Sequence, residues 1–192
     1  MGDFHYEYEM PAMTADIAVF TERAGDLYLL LIRRGNPPFE GCYALPGGFV
    51  EKGETVDEAA ARELAEETGV TGLLMDQLRT FSRPGRDPRG WTITTAFYLL
   101  ADEKDLHVQA GDDARAAEWM KVSVTHLSED VWEMSLTGAD DRIRVRVREQ
   151  AGSAFAFLPT LTVLESENIA FDHDEITSYA VRAVLRGMGR WQ

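Results

Sequence analysis

Cysteine is almost absent. Cys42 is the only one in 192 residues, so no intrachain disulfide can form and the chain needs no oxidising compartment. Long apolar runs are missing too, and no uninterrupted stretch reaches the roughly 18–20 residues that span a bilayer. Basic residues are scarce: 19 Lys and Arg stand against 33 Asp and Glu, for a formal net charge of -14. Such a surface has no basic footprint for nucleic acid or anionic lipid, and it repels an anionic substrate unless local cations or a metal intervene. The four histidines, His5, His107, His126 and His173, share no metal-ligand spacing. The first ten residues are acidic and aromatic, without the basic and apolar parts of a secretory signal, and position 6 is Tyr where myristoylation asks for Ser or Thr. The expectation is a soluble cytoplasmic protein with a small-molecule partner, no nucleic acid and no membrane.

The chain is 45% hydrophobic, enough for one well-filled core and too short for two large domains, so residues 1–192 are read as a single domain. Residues 1–11 read as an irregular arm ending at Pro11. Apolar runs at 17–20 and 27–32 flank a turn at 23–26, a hairpin pattern. Asn36, Pro37 and Pro38 break the chain before a loop that runs to Pro46, Gly47 and Gly48. Residues 55–68 predict a helix: Thr55 and Asp57 are candidate N-caps, Ala, Glu and Leu fill the interior, and Gly69 stops it. Its apolar stripe is Val56, Ala60, Leu64 and Ala59. Strands are expected at 73–81, 91–100 and 118–122, and a second hairpin at 132–136 and 142–148. A final helix over about 173–188 is announced by Asp172 and Glu175 in the form of a capping box. The pattern predicts an α/β layer fold.

Gly48, Glu54, Arg62, Glu63, Leu64, Glu66, Glu67, Gly69 and Val70 form one unit. On a helix Glu63, Glu66 and Glu67 fall at i, i+3 and i+4, which places three carboxylates on one face. Like charges so spaced destabilise a helix by roughly 0.2–0.5 kcal/mol per pair unless compensated. A hard divalent cation compensates: Mg²⁺ takes one or two carboxylates, keeps waters and bridges to phosphates. The glycine turn before the helix lets backbone approach a ligand closely.

The run resembles the Nudix box, G-x5-E-x7-R-E-U-x-E-E-x-G-U with U a bulky aliphatic residue, and the match from Gly48 to Val70 is complete. Seven fixed identities coincide by chance with odds on the order of 10⁻⁸ per start position. The resemblance implies a Nudix hydrolase: an α/β/α sandwich around a mixed sheet that hydrolyses a nucleoside diphosphate linked to another group. It also implies roles. Glu63, Glu66 and Glu67 become ligands of Mg²⁺, with Mn²⁺ suited to the same oxygens. Arg62 orients a box carboxylate with Glu54 as its ion-pair partner, and Gly48 lends backbone to the site. The proton acceptor is Glu66, Glu67 or an acid outside the box, where Asp113, or failing it Asp112, stands before a late strand.

Flanking segments resemble the ADP-ribose pyrophosphatase-like group: residues 32–41 and 44–50 before the box, the loop 81–90 after it, and 169–176 near the final helix. A homodimer is what that group implies. Arg83, Arg86 and Arg89 concentrate three guanidiniums in seven residues of an acidic chain, and guanidinium matches phosphate bidentately. Phe81 and Trp91 flank them as candidate platforms for adenine, and Arg33 and Arg34 end a strand, with one of the two, Arg33 first, a candidate to reach phosphates and solvation of both the alternative. The alternative for these arginines is pairing with local acids such as Asp87. Trp119 and Trp132 read as core, Cys42 as a loop residue, and His173 as a structural or surface residue.

The departure from the group lies at 127–168, where about forty residues separate the late strand from the final helix. Strict alternation puts Arg142, Arg144, Arg146 and Arg148 on one strand face and Ile143, Val145 and Val147 on the other. The choice is between a hairpin that covers the core and a cationic wall or subunit contact; the first is favoured. A ligand-sensing transcriptional regulator is the second functional reading, and a Nudix hydrolase for another nucleotide the third. Residues 133–192 are the only room for a DNA-binding domain, and they hold 7 Lys and Arg against 9 Asp and Glu. A recognition helix needs a basic face, and the final helix offers only Arg182, Arg186 and Arg190.

Overall fold

The computed structural model describes residues 7–106, 114–152 and 158–191. In chain order they form β1 (Ala12–Arg23), β2 (Asp26–Arg34), β3 (Tyr43–Ala44), β4 (Gly47–Phe49), α1 (Val56–Thr68), β5 (Asp76–Phe81), β6 (Thr92–Leu100), β7 (Ala114–His126), β8 (Val131–Thr137), β9 (Arg142–Gln150), β10 (Thr160–Ser166) and α2 (His173–Gly187). The strands join one sheet in the order β10-β9-β8-β7-β2-β1-β6-β5, with β3 added to β2 and β4 to β1. β1 and β6 run parallel, while the other pairs are antiparallel.

Side chains alternate across the sheet, and each face takes one helix. Ala15, Ile17 and Val19 of β1 pack with Leu30, Phe97 and Leu99 against Ala59, Ala60 and Leu64 of α1. Ala18 and Phe20 pack with Leu29 and Leu31 on the opposite side, where Ile176, Tyr179, Ala180 and Val184 of α2 close the layer. Central strands buried on both faces read as continuous apolar runs, which is why β1 and β2 were legible. The result is the α/β/α arrangement expected from the sequence.

Local chemistry explains α1. Thr55 accepts from the Glu58 N–H at 3.2 Å, and Glu58 accepts from the Thr55 N–H at 2.7 Å, a reciprocal capping box. Asp57 and Glu58 sit where the helix dipole favours acids, and Gly69 ends the helix at φ 75. The second expected capping box is not made. Asp172 precedes α2 but caps nothing, because its carboxylate is committed to Arg86.

Strand limits also differ from the expectation. Residues 73–75 lie outside β5, and β7 runs from Ala114 to His126, well beyond the expected segment. β10 was not foreseen: only Leu161 in it is buried, so it has no apolar signature. The residues from 131 onward extend the sheet and build its core. Trp132, Met134, Leu136, Ile143, Val145 and Val147 are buried in the cluster that holds α2. The arginines of β9 face the other way, and two pair with acids: Arg146 with Glu133 at 3.3 Å and Glu165 at 3.0 Å, Arg148 with Asp130 at 3.3 Å.

One topological feature creates the site. β1 and β2 pair only near their turn, where Phe20 to Arg23 oppose Asp26 to Leu29. β2 then follows β7 while β1 follows β6, and the strands part. β3 and β4 occupy the opening, one on each strand. Gly47 sits there at φ 153, and a Cβ on it would overlap the Ala15 carbonyl oxygen. Gly47→Ala should therefore destabilise the protein by about 2–3 kcal/mol, read from denaturant midpoints.

Candidate active site

A cleft opens where β1 and β2 separate, and five structural elements reach it. β1 brings Asp16, β2 brings Arg34, the β4 turn brings Gly47 and Gly48, α1 brings Glu67, and the first residue of α2 is His173, while the loop before β6 adds Arg89. Glu67 accepts from the Gly47 N–H at 2.8 Å. Burial pushes the Glu67 carboxyl up to about 8; Glu63 and Asp16 push in the same direction, while the Gly47 N–H and Arg34 oppose them. Such a group holds its proton at neutral pH unless positive charge arrives.

The rest of the box is organised by Arg62. Its guanidinium binds Glu54 at 2.8 Å, Glu63 at 2.8 Å, Glu66 at 3.1 Å and the Phe49 carbonyl at 2.9 Å. Glu54 and Glu63 together hold it well above its ordinary value. Arg62 and Glu54 thus pair as the resemblance implied, and Arg62 Nη1 also bridges Glu63 and Glu66, offsetting their mutual repulsion. Gly48 leaves room beside them, since a Cβ there would displace the Glu63 carboxylate. Among the described residues no three acidic, His or Cys side chains converge as a finished metal cage. The donors nevertheless fit a hard cation. They are oxygen ligands with excess negative charge around Glu67, and a bound Mg²⁺ would supply the charge that its burial withholds.

Opposite the acids stands a cationic wall. Arg34 and Arg89 both lie over the Phe171 ring, at 4.8 and 5.0 Å from its centroid. Burial lowers the Arg34 pKa, and the nearby Arg89 lowers it further. Arg89 is anchored by Asp87 at 2.7 Å, the local pairing weighed from the sequence, and still lines the cleft.

The floor is a buried polar network. Arg86 makes a fork with Asp172 at 2.8 and 2.7 Å and lies 3.5 Å from Asp16. Burial works against the Arg86 charge, but Asp172 and Asp16 outweigh it. Asp16 also accepts from the Thr94 hydroxyl at 2.7 Å. His173 Nδ1 accepts from the Leu45 N–H at 2.9 Å, which leaves the proton on Nε2, 3.5 Å from Asp16. Burial keeps this histidine below its ordinary pKa, so it is a neutral strut, and the structural reading of it holds.

Several sequence candidates stand elsewhere. Phe81 is buried in the core with its ring 5.7 Å from Tyr179, so it offers no open face to a base. Arg86 lines the cleft, yet it is 5% exposed and already neutralised. Arg83 is exposed outside the cleft lining. Arg33 points away from the cleft lining, to Asp141 and to the Tyr43 hydroxyl at 2.8 Å; Arg34, its neighbour on the alternate face, lines the cleft instead. Asp112 and Asp113 lie outside the described residues. Asp16, Phe171 and His173 were missed as site residues, and of the pair Arg33 and Arg34 it is Arg34 that lines the cleft. The only local hint was an acid, Asp16, set directly before an apolar strand run.

Three substitutions probe this arrangement. Arg86→Met should cost about 3–5 kcal/mol by leaving Asp172 buried and unpaired, and adding Asp172→Leu should recover much of the loss in the denaturant midpoint. Glu67→Gln tests the raised carboxyl. Because the folded pKa lies above the unfolded one, wild-type stability declines as pH rises from about 4.5 towards 8. The metal-free Gln variant should melt higher than wild type at pH 8, with the gap closing towards pH 4.5.

A model of the NUDIX domain family matches residues 10–136. An ADP-ribose pyrophosphatase of Methanocaldococcus jannaschii is 50% identical over 98 residues, covering 51% of this chain and 57% of the relative. An "ADPR responsive transcriptional repressor NtrR" of Acinetobacter baylyi is 30% identical over 171 residues, covering 85% of this chain and 66% of the relative. The chain thus spans between half and two thirds of these curated relatives' lengths. Among solved structures, a MutT/nudix family protein from Enterococcus faecalis superposes with a TM-score of 0.76 at 32% identity, covering 97% of this chain and 71% of that one. With the box intact and the matched segment spanning both sides of the cleft, the chain belongs to the NUDIX domain family.

Proposed function

We propose that the chain hydrolyses the pyrophosphate bond of ADP-ribose, giving AMP and ribose 5-phosphate, with Mg²⁺ as cofactor. The observation that carries this reading is the pairing of opposites in one cleft. Glu67, an acid lifted to about 8, faces a space whose other wall presents Arg34 and Arg89. A diphosphate accompanied by a divalent cation satisfies both walls at once. The likeness to an ADP-ribose pyrophosphatase at 50% identity supports the choice of ADP-ribose.

Glu63, Glu66 and Glu67 would hold the Mg²⁺, which supplies Lewis-acid neutralisation of charge on the phosphoryl oxygens. Arg34 and Arg89 bind the diphosphate and orient it, since guanidinium forks match phosphate oxygens. Arg62 positions Glu63 and Glu66 while Glu54 holds Arg62. Water attacks one phosphorus, the other phosphate leaves, and Glu66, the most exposed of the three box acids, takes the water's proton.

A second reading is a sensor that binds ADP-ribose and does not cleave it. It is favoured by the longer match to the Acinetobacter baylyi repressor. Against it, the box carboxylates are all retained. Among the described residues α2 is the only helix after β7, and its Arg182 is spent on Glu149 at 2.9 Å.

The experiment is a panel of ADP-ribose, NADH, diadenosine polyphosphates and nucleoside triphosphates incubated with Mg²⁺, with products separated by chromatography. ADP-ribose should yield AMP and ribose 5-phosphate, and Glu67→Gln should lower that turnover by at least about a hundredfold. Binding of ADP-ribose with no AMP formed would establish the sensor instead.

A further inference from the structure

A second hollow lies at the far end of the extra strands. Trp132 and Glu149 stand at the open end of the β8–β9 hairpin, opposite the turn whose Asp141 meets Tyr43 beside the glycine loop. His126 is the partner of Trp132 across β7 and β8. Trp191, past the end of α2, meets both rings, with centroids 5.0 Å from Trp132 and 5.2 Å from His126. These three rings, with Glu129, Asp130 and Glu149, line a hollow of about 430 Å³. That is the size of a small-ligand site.

Its chemistry is that of a cation receptor. Two indoles and three acids line it, and among the described residues no Lys or Arg does. An indole face attracts a cation through its quadrupole, and the carboxylates add full charges in a chain of net charge -14. The protein supplies its own precedent at the rim. The Arg182 guanidinium lies 4.6 Å from the Trp191 ring centroid and binds Glu149 at 2.9 to 3.2 Å. Glu129 is exposed and enters no ion pair among the described residues. Asp130 pairs with Arg148 at 3.3 Å, but both are about half exposed, and such a pair exchanges readily.

The rings select the kind of cation. Trp191 meets Trp132 at 83° and His126 at 69°, so a flat group lying on one wall turns its edge towards the next. A planar guanidinium fits that corner and still directs N–H groups to the acids, which a quaternary ammonium does not. Trp132 adds a second requirement. It is 1% exposed, and its buried indole N–H has no hydrogen-bond partner among the described residues. Buried donors are rarely left so, and a carbonyl oxygen would satisfy this one. An arginine within a peptide brings both a guanidinium and neighbouring carbonyls.

We infer that this hollow binds an arginine side chain of a peptide, with Trp191 as the stacking surface and Glu129 and Asp130 as acceptors. The inference goes beyond the hydrolase reading and does not rest on it, because the hollow shares no lining residue with the cleft.

Calorimetry and tryptophan emission on the full chain test it with Nα-acetylarginine amide, its uncharged isostere Nα-acetylcitrulline amide, and free L-arginine. The arginine amide should bind saturably, and the citrulline amide at least about fivefold more weakly. Free L-arginine should bind less well than the amide, because its carboxylate meets the acids. Trp191→Leu should lose about fivefold or more in affinity for the arginine amide. Glu129→Gln, an exposed change that leaves the core alone, should lose about two- to fivefold, and it carries the test if the Leu variant does not fold. Equal binding of the arginine and citrulline amides, no saturable binding of the arginine amide, or wild-type affinity in the folded variants would each overturn the site. Tighter binding of free L-arginine than of its amide would overturn the peptide as its source.

Discussion

The buried salt bridge between Arg86 and Asp172 is the contact on which the cleft depends. It joins the loop after β5 to the entrance of α2, segments 86 residues apart, and it brings Asp16 of β1 into the same cluster. A pair this deep contributes little net stability, because desolvating two ions offsets most of their attraction. Its worth is positional. Removing either partner strands a charge in the interior, so the loop carrying Arg89 and the helix carrying His173 can be ordered only together. His173 then fixes Leu45 by accepting its N–H, and Leu45 lies two residues before the glycine whose N–H meets Glu67. Glu67 is thus referenced through a chain of hydrogen bonds to the helix on the far side of the sheet.

The extra strands connect to the same machinery. The Tyr43 hydroxyl donates to Glu118 at 2.8 Å and meets Asp141 at 3.0 Å, while Arg33 reaches both Tyr43 and Asp141. Burial, with Glu118 next in effect, raises the Tyr43 pKa well above the ordinary phenol range. Asp141 belongs to the β8–β9 turn, and the Ala139 N–H in that turn donates to Glu118 at 2.9 Å. The turn of the inserted hairpin is therefore clamped to β3, immediately before the glycine turn. This accounts for Arg33, which the strand period sends to the opposite side from Arg34. The insertion enlarges the α2 layer and braces the loop that carries Gly47 and Gly48.

What was legible in the sequence is what is encoded locally. The capping box at Thr55, the Gly69 stop, the spacing of Glu63, Glu66 and Glu67, and the alternation of β9 are all decided within a few residues, and the structure keeps them. The cleft's other half depends on long-range placement. Nothing near Asp16 distinguishes a strand acid that will be buried beside Arg86 from one that faces water. The choice between Arg33 and Arg34 turns on which strand face meets the cleft, and both are arginine. Phe81 and Arg86 were misplaced for one reason: a segment rich in Pro, Gly and Arg reads as a solvated loop, whereas Asp172 draws Arg86 inward and Tyr179 receives Phe81. His173 looked like a residue behind a helix cap because its partner, Leu45, is 128 positions away.

The cleft is left unbalanced on both walls. Arg34 and Arg89 crowd one ring, and Phe171, which supports them, adopts φ 56, a left-handed conformation that costs a bulky residue about 1–3 kcal/mol. Across from them Glu67 carries a carboxyl that burial and its acidic neighbours keep protonated. In a chain of net charge -14, cations gathered at one place oppose an otherwise repulsive field and define where an anion can approach. The two walls offset each other only in part: Arg34 acts on Glu67 but is also tied to the Pro38 carbonyl at 2.9 Å, and Arg89 is paired with Asp87. A ligand that brings negative oxygens to the arginines and a divalent charge to the glutamates relieves both strains in a single event. Neither an anion alone nor a cation alone does so, and on the proposed function recognition of a diphosphate would therefore be tied to the arrival of the metal.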